Sequence, residues 1–205
     1  MLGDGIAEIE RFKKDDKILK VFLDKYPENP RDWDNVGLML CLHKRYNLGD
    51  RHELAASDFS RWSDIERYLR EDLNAAVVLP LYLYDHGGIS MSTSRVYPYN
   101  DRWDSGQVGF ICATEERLKA EKLTKRKAVK ILEGEVKVYN QYLRGSVYGY
   151  VLVKLKKCKA CGHTEELPID SCWGFFGDTV KESGLYENVE GFEKFREVKV
   201  FQRDC

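Results

Sequence analysis

No stretch of this sequence approaches the roughly 20 consecutive apolar residues that a membrane-spanning helix needs. Its first residues, MLGDGIAEIERFKKDD, lack the basic-then-apolar pattern of an export signal, so the expected location is the cytoplasm. Neither sign of charge is in excess: 33 Lys and Arg stand against 34 Asp and Glu, for a formal net charge of −1. That balance excludes a global field drawing the molecule to nucleic acid or anionic lipid, and leaves only local patches. There is no P-loop, dinucleotide fingerprint or nucleophile elbow. There is also no internal repeat, low-complexity tract or linker.

The chain does have enough length and enough aromatic content to build a core. Its 205 residues, 12% of them aromatic, suit a packed globule and not a disordered tail. Ile6, Ile9, Phe12, Ile18, Leu19, Phe22 and Leu23 recur at mostly three- and four-residue spacing, which predicts an amphipathic helix ending before YPENP. VGLMLCLHKRYN alternates Val36, Leu38, Leu40 and Leu42 against Met39, Cys41 and His43, the period of a strand. Phe59, Trp62, Ile65, Tyr68, Leu69 and Leu73 form one stripe of a second helix, with Ser57 or Ser63 available as its cap. AVVLPLYLYDHGGISMST reads as two strands joined at Asp-His-Gly-Gly, and SGQVGFICAT as another strand.

Thr124 opens the clearest helix, which buries Ala128, Ile131, Leu132, Val136, Tyr139, Tyr142 and Leu143 and stops at Gly145. SVYGYVLVKLKK and TEELPIDSCWGFF then form a hairpin, residues 146–176, with CKACGH at its tip. A final strand is expected at EVKVFQ. The expected fold class is α+β: one domain, residues 1–205, with a mainly antiparallel sheet packed with several helices and a zinc-knuckle hairpin tip.

The six cysteines would be reduced in a cytoplasm, so a close thiol pair points to a metal before a disulfide. Zinc takes thiolate and imidazole ligands in a tetrahedron, and C-x-x-C places two sulfurs on one side of a turn. Cys158 and Cys161, with Gly162 easing the turn, fit that role, and His163 is the nearest third ligand for a structural zinc. The fourth remains among Cys205, His52, Glu166 and Cys172. Cys172 lies about nine residues from the tip, some 30 Å along an extended strand, unless a bend at Pro168 returns it. Two free thiols or a dithiol redox centre are the alternatives to zinc.

Asp85, His86, Asp104, Ser105 and Gln107 gather near strand ends. An enzyme acting on nucleotides or nucleic acid would use His86 as general base, oriented by Asp85 or Asp104. The same residues are also ordinary turn formers. Two basic runs stand out, one from Lys119 to Lys130 and a cleaner one at Lys154, Lys156, Lys157 and Lys159. The second, beside Tyr148 and Tyr150, reads either as a contact surface or as a solvated face, with direct nucleic-acid contact as an alternative to protein contact.

Five stretches, YPENPRDWDNVGLMLCLHKRYNLGD, LPLYLYDHGGISMST, WDSGQVGFI, VYNQYLRGSVYGYVL and DSCWGFFGD, together resemble a family of small phage and mobile-element accessory proteins without an assigned enzyme activity. The likeness covers most of the span from Tyr26 to Asp178. It implies that CKACGH is an elaboration of this member and that Cys172 belongs to a shared core motif. It further implies an anti-CRISPR-like role: a non-enzymatic inhibitor that binds a host-defence effector, such as an RNA-guided nuclease, and prevents it from loading or cutting DNA. A nucleotide-sequestering binder is the third class.

Overall fold

A computed structural model describes residues 7–200 of the chain. In chain order its elements are β1 (Glu8–Lys14), β2 (Lys17–Leu23), β3 (Leu38–Cys41), α1 (Trp62–Glu71), β4 (Ala75–Asp85), β5 (Ile89–Ser92), β6 (Ser105–Thr114), α2 (Glu115–Ala120), α3 (Lys125–Leu143), β7 (Val147–Lys157), β8 (Thr164–Phe176) and β9 (Arg196–Glu197). The α+β class with antiparallel sheets holds. Where the sequence reads as one domain, the chain forms two compact units: Asn29–Arg144, and the two ends of the chain together, up to Glu28 and from Gly145 onward.

In the unit built from the chain ends, a five-stranded antiparallel sheet runs β8-β7-β2-β1-β9. The helix expected over Ile6–Leu23 is the main correction. Ile6 lies outside the described residues, and the rest is a hairpin that turns at Asp15, whose φ of 51° is left-handed. The strand period was masked because both faces of β2 are buried. Leu19 and Val21 join one apolar cluster, with Tyr148, Tyr150, Val180, Leu185 and Val189, and Ile18 and Phe22 join another, with Val151 and Val153. Apolar residues on both faces erase the alternation that marks a half-buried strand. β9 overlaps the expected last strand at Glu197 and pairs with β1 at Phe12 and Lys13, while Phe201 and Gln202 of that expectation lie outside the described residues.

In the unit Asn29–Arg144, a four-stranded antiparallel sheet runs β3-β6-β4-β5 with a helix on each face. Met39 and Cys41 of β3 join the cluster completed by Ala128, Leu132, Val136 and Tyr139 of α3, while Leu40 joins Ile65 and Leu69 of α1. The alternation read in β3 is therefore the division between two cores. Thr124 caps α3 by accepting the N–H of Lys127 at 3.3 Å, and Gly145 ends it at φ 67°. α1 starts after Arg61 without a side-chain cap, so neither Ser57 nor Ser63 has that role. The short α2 has one buried residue, Leu118, and a Thr114 cap on the N–H of Arg117 at 3.1 Å. No helix among the described residues is long and apolar enough to cross a membrane.

Candidate functional site

The expected hairpin is formed by β7 and β8, and residues 158–163 are its exposed tip. The N–H of Cys158 donates to the carbonyl of His163 at 2.7 Å, and the N–H of Gly162 to the carbonyl of Cys158 at 2.9 Å. Gly162 has a φ of 74°, which glycine adopts without strain. The Cys158 sulfur accepts from the N–H of Cys161, from the Cys161 thiol and from the N–H of Ala160, and these bonds lower its pKa from the usual thiol value. Donors aimed at sulfur favour thiolate, the form that binds metal.

The two thiols thus fit two positions of a zinc site. His163, the expected third ligand, lines the same exposed tip, but among the described residues no three His, Cys, Asp or Glu form a group placed to hold a metal. A bulge opens between the Leu152 and Val153 pairings, opposite Pro168 and Asp170, yet Cys172 stays in register with Tyr150, far from the tip. Cys205 lies outside the described residues. Of the nearby lysines, Lys154 pairs with Asp16 at 3.4 Å, and Lys154, Lys156, Lys157 and Lys159 are all exposed.

The second constellation lies in the unit Asn29–Arg144, at the turn between β4 and β5. Gly87, at φ 70°, lets the turn close so that the N–H of His86 reaches the carbonyl of Gly88 at 3.2 Å. The N–H of Asp85 donates to the carbonyl of Asp104 at 2.8 Å, which sets His86 Nδ1 2.9 Å from Asp104 Oδ2. Tyr84 stacks on His86 with ring centroids 6.0 Å apart. Asp101 is held below the usual carboxylate range by the N–H groups of Asp104 and Trp103.

The His86–Asp104 pair foreseen in the sequence is therefore present, at the rim of a cavity of about 500 Å³ that also involves Tyr84, Ser90, Tyr99 and Arg144. The other partners differ. Asp85 turns to Arg45 at 3.0 Å and Tyr46 at 3.1 Å, Ser105 donates to the carbonyl of Asp101, and Gln107 donates to that of Gly109 at 3.3 Å. An oriented imidazole is available for proton transfer.

Sequence reasoning missed two features. One is the buried cluster of Arg31, Asp50 and Glu135, whose only signal is charged residues inside otherwise packed segments. The other is the row Val96, Tyr97 and Trp103, left exposed between β5 and β6. No protein-family model, curated protein or solved structure matches the chain.

Proposed function

We propose that the protein works by binding, as a stoichiometric, anti-CRISPR-like inhibitor of a host-defence complex that targets nucleic acid. The target class is an RNA-guided DNA nuclease in the host cytoplasm, and the effect is to obstruct DNA loading or cleavage. The observation that favours binding over turnover is the segment between β5 and β6, where Tyr97 and Trp103 stand 76% and 88% exposed beside Val96. Large aromatics held in water are the residues that become anchors once a partner buries them, and the exposed Arg95 and Arg102 beside them belong to the same hot-spot vocabulary.

Nuclease effectors hold nucleic acid in basic channels. A protein of net charge −1 has little to offer such a channel as a mimic, so the reading is of a wedge that acts by shape. Lys154, Lys156, Lys157 and Lys159 add a second, electrostatic contact, toward an acidic protein surface. The proposal also includes a structural zinc at Cys158 and Cys161, which would stiffen a hairpin tip that is otherwise marginal.

The test is gel filtration of the protein with purified effectors. The expected result is a complex of fixed stoichiometry that forms without turnover and is weakened more than about tenfold when Tyr97 and Trp103 are both changed to Ala. Absence of a complex with every effector tried, or a complex indifferent to that double change, removes the reading. The alternative of an enzyme or a nucleotide binder is favoured by one observation, the 2.9 Å His86–Asp104 contact at the cavity.

A further inference from the structure

We infer that the hairpin tip is half of a zinc site, and that a second copy of this chain supplies the other half, so that one zinc ion joins two tips through Cys158 and Cys161 of each. The inference rests on the zinc reading of the tip and not on any defence-related partner.

The first support is the ligand count. A structural zinc closes with four ligands. The tip supplies two; His163 and Glu165 line the same tip, yet among the described residues no group of three His, Cys, Asp or Glu is placed to hold a metal. Cys172, the obvious candidate from spacing, is held opposite Tyr150 within the sheet. The second support is access. Residues 158–163 are all exposed and form the end of the β7–β8 hairpin.

The third support is that the pair is already shaped for metal. The turn is closed by the 2.7 Å and 2.9 Å backbone bonds, and Gly162 takes the left-handed conformation behind the second cysteine. A redox pair would need no such second ligand set, but nothing at the tip provides the electropositive helix terminus that favours dithiol exchange.

Charge makes the arrangement conditional on metal. Zn²⁺ and four thiols give a tetrathiolate centre of net charge −2 with release of four protons. Lys156, Lys157 and Lys159 lie around each tip, with Glu165 as the acidic residue among them. Two such tips repel each other when empty. With a dianionic centre between them, the same ammonium groups become its counter-ions. Zinc therefore switches the contact from repulsive to attractive.

The experiment is mass measurement in solution, by light scattering with metal analysis of the same full-length material in a phosphine reductant. The expected result is one zinc per two chains in a dimer, conversion to monomer by EDTA, and recovery on adding zinc alone. Cys161→Ser should give a zinc-free monomer with an unchanged circular dichroism spectrum, since its side chain is outside the core. His163→Ala and Cys205→Ser should both keep the dimer and its zinc. A zinc-bearing monomer at one zinc per chain overturns the inference while sparing the zinc reading. So does loss of zinc in either control variant, because a ligand within the chain then completes the site. Material that never binds zinc overturns both. A dimer that resists EDTA but yields to reductant is a disulfide pair and overturns the inference as well.

Discussion

Arg31 and Asp50 form a two-bonded ion pair, Nε to Oδ1 at 2.9 Å and Nη2 to Oδ2 at 2.8 Å, with the arginine side chain only 3% exposed. Glu135 of α3 adds a contact at 3.2 Å and accepts the N–H of Val36 at 2.8 Å. Burial alone would lower the arginine pKa, and the bonds to Asp50 and Glu135 outweigh it, so the group is raised and stays charged. Asp50 also accepts the N–H of Met39 at 2.7 Å, so it ties β3 to the loop after it while its pair with Arg31 reaches the loop before β3. Asp50→Ala leaves a buried cation short of a partner, and the expected loss is about 3–5 kcal/mol in urea unfolding. A loss under about 1 kcal/mol would mean that the cluster does not hold these segments.

The five cysteines among the described residues differ enough for a chemical test. Burial pushes Cys41 up to about 12 and Cys112 up to about 11, whereas the bonds to the Cys158 sulfur lower its pKa. Thiolate is the reactive form. With EDTA-treated protein at neutral pH, iodoacetamide should modify Cys158 first and leave Cys41 and Cys112 untouched until unfolding, as read by peptide mass spectrometry. Zinc added beforehand should slow the reaction at Cys158 and Cys161. Early labelling of Cys41 would contradict the packing of β3.

Those raised values also set an alkaline limit. Cys41 and Cys112 bind their protons more tightly when folded than when unfolded, as do Tyr139 and Tyr150 through burial. Between pH 9 and about 12 the unfolded chain therefore carries fewer protons than the native one at these thiols, so stability is fully present below pH 9 and falls as pH rises. Each group contributes a slope of up to about 1.4 kcal/mol per pH unit. Urea midpoints measured across this range should drop, and Cys41→Ala should have a shallower drop than the parent whatever its midpoint at pH 7. Equal slopes would remove Cys41 from the account.

Much of the Asn29–Arg144 unit was legible because its signals are local. Thr124 and Gly145 bracket α3, and Met39, Leu40 and Cys41 alternate between cores on opposite faces. The β1–β2 hairpin was not legible. Ile18, Leu19, Val21 and Phe22 are all buried, and residues buried on both faces mimic the spacing of a helix stripe. At the sites, His86 and Asp104 were readable as residues near strand ends. The choice between Asp85 and Asp104 as the partner of His86 was not readable, because Arg45, 40 positions before Asp85, leaves no trace in spacing. Arg31, Asp50 and Glu135 meet only through tertiary structure.

Gly149 marks a close approach within the unit built from the chain ends. A Cβ there would lie 2.2 Å from Cε3 of Trp173, and Trp173 stacks on Phe22 with centroids 6.0 Å apart. Gly149→Ala must displace the indole, at an expected cost of about 1–3 kcal/mol, with a change in tryptophan emission before any unfolding. The double variant Gly149→Ala with Trp173→Leu should recover part of the loss. Without such recovery, the clash is not with the ring.

His86 decides between a surface that binds and a site that turns over. Its ring is 69% exposed and is held at Nδ1 by Asp104, so His86→Ala removes an oriented base without opening a cavity in the core. Unfolding should shift by less than about 0.5 kcal/mol, as for other surface changes. A binding protein whose anchors are Tyr97 and Trp103 should keep its partner affinity within a few-fold, because neither anchor depends on the imidazole. An enzyme using the pair should lose turnover by about 10²–10⁴-fold, and Asp104→Asn should lose nearly as much. Thermal shifts with nucleotides add the third arm: stabilisation lost in Arg144→Ala would assign the cavity to ligand capture. Turnover abolished by His86→Ala in a folded protein would end the inhibitor reading, whatever the surface aromatics do.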